Sequence, residues 1–79
     1  MPGAQDIGRM VHFHRKKAKL SQAELAKLSG VGKTVVFDIE HGKESVRLTT
    51  LIKILYTLNI DFNFTGPLMH LFRKHDEKS

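Results

Sequence analysis

The stretch Ser21-Gln22-Ala23-Glu24 is the strongest constraint on how this chain folds. It is a capping box, in which the serine side chain takes the backbone N–H at the fourth position and the glutamate reaches back to the serine amide. A helix must start there. Leu25 and Leu28 then provide apolar surface, Ala26 allows close helix approach, and Gly30 tolerates the positive φ that ends a helix. A second short helix is predicted over about residues 33–41, with Val36 and Ile39 facing inward. Its other face carries Lys33, Thr34, Phe37, Asp38 and His41, and Gly42 stops it.

On either side the apolar spacing predicts further helices. Residues 1–5 read as a loose leader, and Asp6 is a good N-cap for a helix over about 6–18, with Ile7, Val11, His14 and Ala18 on one face. A helix over about 48–58 shows Leu48, Leu51, Leu55 and Leu58 at spacings of three and four. The period then changes. Residues 60–65 alternate apolar and polar (Ile60, Phe62 and Phe64 against Asp61, Asn63 and Thr65), which is strand periodicity. A lone strand in a helical domain lacks a pairing partner, and the nearest supplier is the same strand of another copy. After Gly66-Pro67, Leu68, Leu71 and Phe72 predict a short amphipathic helix in the tail 66–79. The fold class read from this order is all-α, four to five helices with a short C-terminal strand pairing across a dimer.

The chain has 79 residues, no cysteine and a net charge of +5. That is one small domain without disulfide or thiolate-metal staples, and nothing in it approaches the ~20 apolar residues of a membrane span. With no signal-peptide pattern, a cytoplasmic protein with no membrane partner is the expectation. Residues 1–33 carry seven Lys and Arg against two Asp and Glu, whereas residues 34–79 carry six of each. The excess therefore sits at one end, much of it in Arg15, Lys16, Lys17 and Lys19, and this asymmetry suggests a polyanionic partner.

Gly30-Val31-Gly32-Lys33-Thr34 spells the end of a nucleotide-binding P-loop. The full pattern needs another glycine five residues before Gly32, where Lys27 stands, and a preceding strand rather than a helix. Nucleotide binding is rejected on both counts. His12 and His14 point about 200° apart on a helix and cannot share an ion, and no arrangement of catalytic side chains stands out. Neither an enzyme nor a cofactor or metal site is expected.

Two short helices and a tight Gly-containing turn over residues 21–41 make the layout of a helix-turn-helix, although spacing alone leaves any helical hairpin equally open. The motifs decide it. Leu20-Ser21-Gln22-Ala23-Glu24-Leu25-Ala26, then Gly30-Val31, then Ile39-Glu40-His41-Gly42-Lys43 resemble the DNA-binding domain of Cro or XRE (phage-repressor) type proteins over residues 6–60. The continuation through Val46-Arg47-Leu48-Thr49-Thr50-Leu51 and Leu58-Asn59-Ile60 is most similar to HipB-like antitoxins of toxin-antitoxin systems.

The resemblance implies a lambda-repressor-like bundle, a homodimer on an inverted-repeat operator in double-stranded DNA, autoregulation, and a HipA-type serine/threonine kinase toxin as partner. It implies that the second helix of the motif lies in the major groove, with Lys33 and Thr34 at bases or adjacent phosphates and Phe37 and Asp38 further along. Gln22 matches a phosphate-contacting glutamine, and Lys43 is a second phosphate candidate. Arg15 and Glu40 match a structural salt bridge between the first helix and the end of the third. Lys19 stands where the family usually has glycine, which predicts positive φ. Ile60, Phe62 and Phe64 are expected in the dimer strand, with Leu68, Leu71 and Phe72 extending the dimer or docking the toxin. A stand-alone phage or chromosomal repressor without a toxin is the alternative.

Overall fold

The start of α2 is built as its sequence demands. In a computed structural model that describes residues 3–63 and 65–78, Ser21 Oγ accepts from the Glu24 N–H at 3.0 Å and the Ser21 N–H donates to Glu24 Oε1 at 2.8 Å. The helix α2 (Gln22–Ser29) ends at Gly30, whose φ of 72° is left-handed. One residue later Gly32, extended at φ −75°, opens α3 (Lys33–Glu40) without any side-chain cap. Before them lies α1 (Ala4–Lys17) and after them α4 (Leu48–Thr57) and α5 (Met69–Lys78). Among the described residues the architecture is all-α, with five helices.

One apolar cluster joins the first four helices: Val11 from α1, Leu25 and Ala26 from α2, Val36 and Ile39 from α3, Ile54 and Leu55 from α4. Val11, Leu25, Val36 and Ile54 are fully buried. Each such side chain contributes about 1.5–3 kcal/mol relative to exposure. A hydroxyl pair also ties α2 to α4, Ser29 Oγ donating to Thr57 Oγ1 at 3.0 Å. Gly8 sets how closely α1 approaches α3. A Cβ there would stand 2.3 Å from the Ile39 carbonyl oxygen, so only glycine lets α1 lie against the C-terminal carbonyls of α3.

Several sequence expectations need correction. α1 begins at Ala4 rather than after Asp6, so residues 4 and 5 belong to a helix rather than a leader. Asp6 lies in the first turn and accepts the Gly3 N–H at 3.0 Å instead of capping the helix itself. Leu28 and Leu48 are 63% and 68% exposed, and Ile54 takes the core place that the leucine spacing had assigned to Leu48. Strict counting along a short helix cannot say which edge of a wide apolar face meets the neighbouring helix.

The strand expected at 61–65 is not formed in this single chain, and no strand occurs among the described residues. Alternation supplies the side chains for a strand, but the ladder needs a second backbone. Phe64 lies outside the described residues. The segment leads to Leu68 and then α5; Leu68, just before the helix, and Leu71 and Phe72 within it are 66%, 53% and 56% exposed.

Candidate nucleic-acid interface

The two helices α2 and α3 present their N-terminal ends on the same side of the molecule as the end of α1. There, Gln22 and Lys33 line one open cavity of about 630 Å³ together with Arg15, Lys16 and Lys19. No acidic side chain lines it. Along α3, Lys33, Thr34 and Phe37 face solvent while Val36 and Ile39 are buried beneath them. Spacings of one, three and four residues hold these exposed groups on one helical face.

Behind this surface stands a buried carboxylate. Glu40, at the last position of α3, accepts from Arg15 Nε at 2.5 Å and from Arg15 Nη2 at 3.0 Å. Its side chain is 2% exposed and that of Arg15 is 8% exposed. Arg15 Nη1 also donates to the Leu20 carbonyl at 2.8 Å, bracing the turn between α1 and α2. Gln22 Nε2 donates to Glu40 Oε1 at 3.2 Å and His12 Nδ1 donates to the same oxygen at 2.8 Å. Burial alone would push the Glu40 carboxyl up, but the hydrogen bonds from Arg15, His12 and Gln22 and the Arg15 charge override it and hold the pKa at about 2. Glu40 is therefore ionised and satisfied, and it fixes the Gln22 amide over the start of α2. Gln22 keeps its carbonyl and one N–H for a further partner.

The remaining residues divide into two groups. Asp38 pairs with Lys43, Nζ to Oδ2 at 3.4 Å, and the Lys43 N–H donates to the Asp38 carbonyl at 3.0 Å. This long, half-exposed pair adds little stability, yet it offsets a negative charge on the exposed side of α3. Asp38 and Lys43 line a smaller depression with Arg47, away from the cavity shared by Gln22 and Lys33. Phe37 is 47% exposed. Its ring stacks on His41 with centroids 3.9 Å apart, and the His41 Nδ1–H donates to the Phe37 carbonyl at 2.8 Å. The ring is held rigid rather than left free.

Reading the sequence named Lys16 and Lys19 only as part of a basic run facing a polyanion, and it missed His12 beside Glu40 and Arg47 beside Asp38 and Lys43. Lys16 and Lys19 carried a signal in the basic run 15–19. His12 and Arg47 carried none, because their placement depends on how α1 meets the end of α3 and how the loop 43–47 returns to it. Lys19 does take a left-handed conformation, with φ of 59°. The same is true of Asn59 at 57°. Asparagine visits this region readily, whereas for lysine it costs roughly 1–2 kcal/mol.

A helix-turn-helix family model matches residues 14–64. An HTH-type transcriptional regulator of Sinorhizobium fredii, y4mF, is 36% identical over 62 residues, which cover 78% of this chain and 82% of that protein. The ImmF control region 10 kDa protein of Bacillus phage phi105 is 33% identical over 63 residues, covering 80% of this chain and 70% of that one. The chain belongs to the helix-turn-helix family, as a DNA-binding domain of the Cro/XRE type, and is not an enzyme. Among solved structures the fold is similar to HipB in the HipB-O4 20mer complex and in the HipA-HipB-O2-O3 complex. Both give a TM-score of 0.75 at 22% identity, covering 85% of this chain and 94% of HipB. Among the described residues no helix is long and apolar enough to cross a membrane.

Proposed function

We propose that this protein is a sequence-specific transcriptional repressor that binds an inverted repeat upstream of its own gene as a homodimer. The observation that carries this reading is the shared face of Gln22, Lys33, Thr34 and Phe37, backed by a basic cavity and held in place by the buried Glu40–Arg15 pair. Lys33 and Thr34 stand at the start of α3, where an exposed first turn meets base edges and phosphates. Lys33 offers donors to guanine O6 and N7, and Thr34 offers a hydroxyl or a methyl. The rigid Phe37 ring suits apolar contact with a thymine methyl. Asp38, already beside Lys43, is placed to accept from a cytosine amino group. Lys43 adds a phosphate contact on that flank.

Two copies would set two α3 helices about 34 Å apart along the duplex. The exposed apolar groups at Leu68, Leu71 and Phe72, together with the partly exposed Phe62 and the half-buried Ile60, would supply the dimer contact. A strand at 61–65, with Phe64, would form there once a second chain provides its ladder. In the finer reading the repressor is the HipB-like antitoxin of an operon that also encodes a HipA-type serine/threonine kinase toxin, which it binds. The likeness of fold to HipB supports it. The identity to the phage phi105 protein favours a second reading, a repressor with no toxin.

Gel shifts over a salt series test the DNA reading. Affinity should fall steeply with salt, and Lys33→Ala with Thr34→Ala should erase the preference for the upstream repeat over scrambled duplex. Binding without sequence preference or dimer footprint would refute it. Copurification separates the two finer readings: a kinase-like neighbour gene product retained by tagged protein supports the antitoxin, and its absence supports the lone repressor.

A further inference from the structure

Resting on the DNA-binding reading, we propose that Lys19 is a phosphate-binding residue that closes the basic cavity at the α1–α2 turn onto a DNA backbone phosphate. The turn itself does not call for a lysine. Its φ of 59° is a conformation that glycine adopts freely and lysine adopts at a cost. The Lys19 side chain makes no hydrogen bond or ion pair among the described residues that would explain it. Among the described residues no ion pair is made by Lys16, Lys19 or Lys33, although all three line the same cavity.

Arg15, on the same wall, is already neutralised by Glu40. Three ammonium groups are thus left around one open cavity, with no carboxylate among the described residues that line it. Their mutual repulsion is relieved by an anion from outside the chain, and an extended polyanion offers a phosphate without the entropy of capturing a free ion at each encounter. The cavity also holds the start of α2, including Gln22, whose amide Glu40 orients. It reaches Lys33 at the start of α3. A phosphate seated here would lie next to the base-reading helix and fix its depth in the groove. Contacts of that kind set register and affinity and carry no sequence information.

Lys19→Gly separates the two roles of the residue, because glycine relieves the backbone while removing the charge. Anisotropy titrations would use two fluorescent duplexes, one from directly upstream of the gene and one scrambled, in a series of KCl concentrations. The expected result is a loss of about 3- to 10-fold on both duplexes, with a log K against log salt slope shallower by about 0.9. Thermal stability should hold or rise, and Lys19→Arg should restore affinity and slope. Unchanged affinity and slope in Lys19→Gly would overturn the inference, as would a loss confined to one duplex or a loss accompanied by a lower Tm. If the wild-type protein binds neither duplex, the DNA-binding reading itself falls. Wild-type binding that Lys19→Gly leaves untouched removes this inference alone.

Discussion

The four-helix body and the tail after residue 60 satisfy their apolar residues in opposite ways. In the body, Val11, Leu25, Val36 and Ile54 are fully buried against one another, and the one deeply placed charge pair, Arg15 with Glu40, is fully hydrogen-bonded. In the tail, Leu68, Leu71 and Phe72 are all more than half exposed. The body closes a core within a single chain, although Phe13, Leu28, Leu48 and Tyr56 stay exposed on its surface. The tail contributes no residue to that core and exposes several apolar side chains close together, which is the condition of a segment that packs on another chain.

The hardest blow to this contrast should come from Glu40→Gln. It leaves the Arg15 guanidinium, in a residue only 7% exposed, without its counter-charge, and loss of one partner of such a pair costs about 3–5 kcal/mol. Chemical denaturation of the variant should lose most of the body's stability, and a loss below about 1 kcal/mol would deny that the pair is buried and paired in solution.

Gly8→Ala comes next. Alanine gains about 1 kcal/mol of helix propensity over glycine, but its Cβ meets a backbone oxygen at 2.3 Å, which cannot rotate away. Overpacking of this kind costs about 1–3 kcal/mol and wins at the upper end. The expected net loss is therefore about 2 kcal/mol, and a raised Tm would show that α1 and α3 are further apart.

Acid should act on the same pair more gently. Glu40 titrates at about 2 when folded against an ordinary 4.5. Because the folded pKa is the lower one, the stabilisation is fully present above about pH 5 and is lost as pH falls toward 2. As an order of magnitude it amounts to about 2–3 kcal/mol. A wild-type protein whose stability is flat between pH 5 and 2.5 would contradict it.

Removing residues 66–79 is expected to have the smallest effect on the body. Intrinsic Tm should barely move at low concentration, while the dimer population by analytical ultracentrifugation should fall. A large drop in monomer stability would mean that the tail folds back onto the body.

Much of the fold was legible because helix ends are written locally. The Ser21–Glu24 box, the left-handed Gly30 and the stop at Gly42 all involve groups within a few residues of one another. The amphipathic tail helix was legible for the same reason. Leu48 was misplaced and Ile54 overlooked because a helix of ten residues offers several plausible faces, and the choice among them belongs to the neighbouring helix. The strand was misjudged in the single chain because periodicity prescribes side chains and not a pairing partner.

The candidate site was legible in its exposed face and, through the resemblance, in the buried Arg15–Glu40 pair. Lys33, Thr34 and Phe37 follow from helical spacing, since the buried Val36 and Ile39 leave them the opposite face. The cavity of Lys16, Lys19, Gln22 and Lys33 joins three elements, and only packing brings them together.

By itself, then, the sequence determined where α2 begins and ends, where α3 stops, and that an unbalanced positive charge lies in the first 33 residues. These are matters of short-range hydrogen bonding and composition. The bridge between Arg15 and Glu40 was carried by the resemblance, but only the tertiary structure decided that Gln22 and His12 converge on the same carboxylate across separations of 18 and 28 residues. It also decided that Gly8 must remain a glycine and that the basic run closes on the start of α3. Those outcomes depend on the angle and depth at which whole helices pack, which no local pattern specifies.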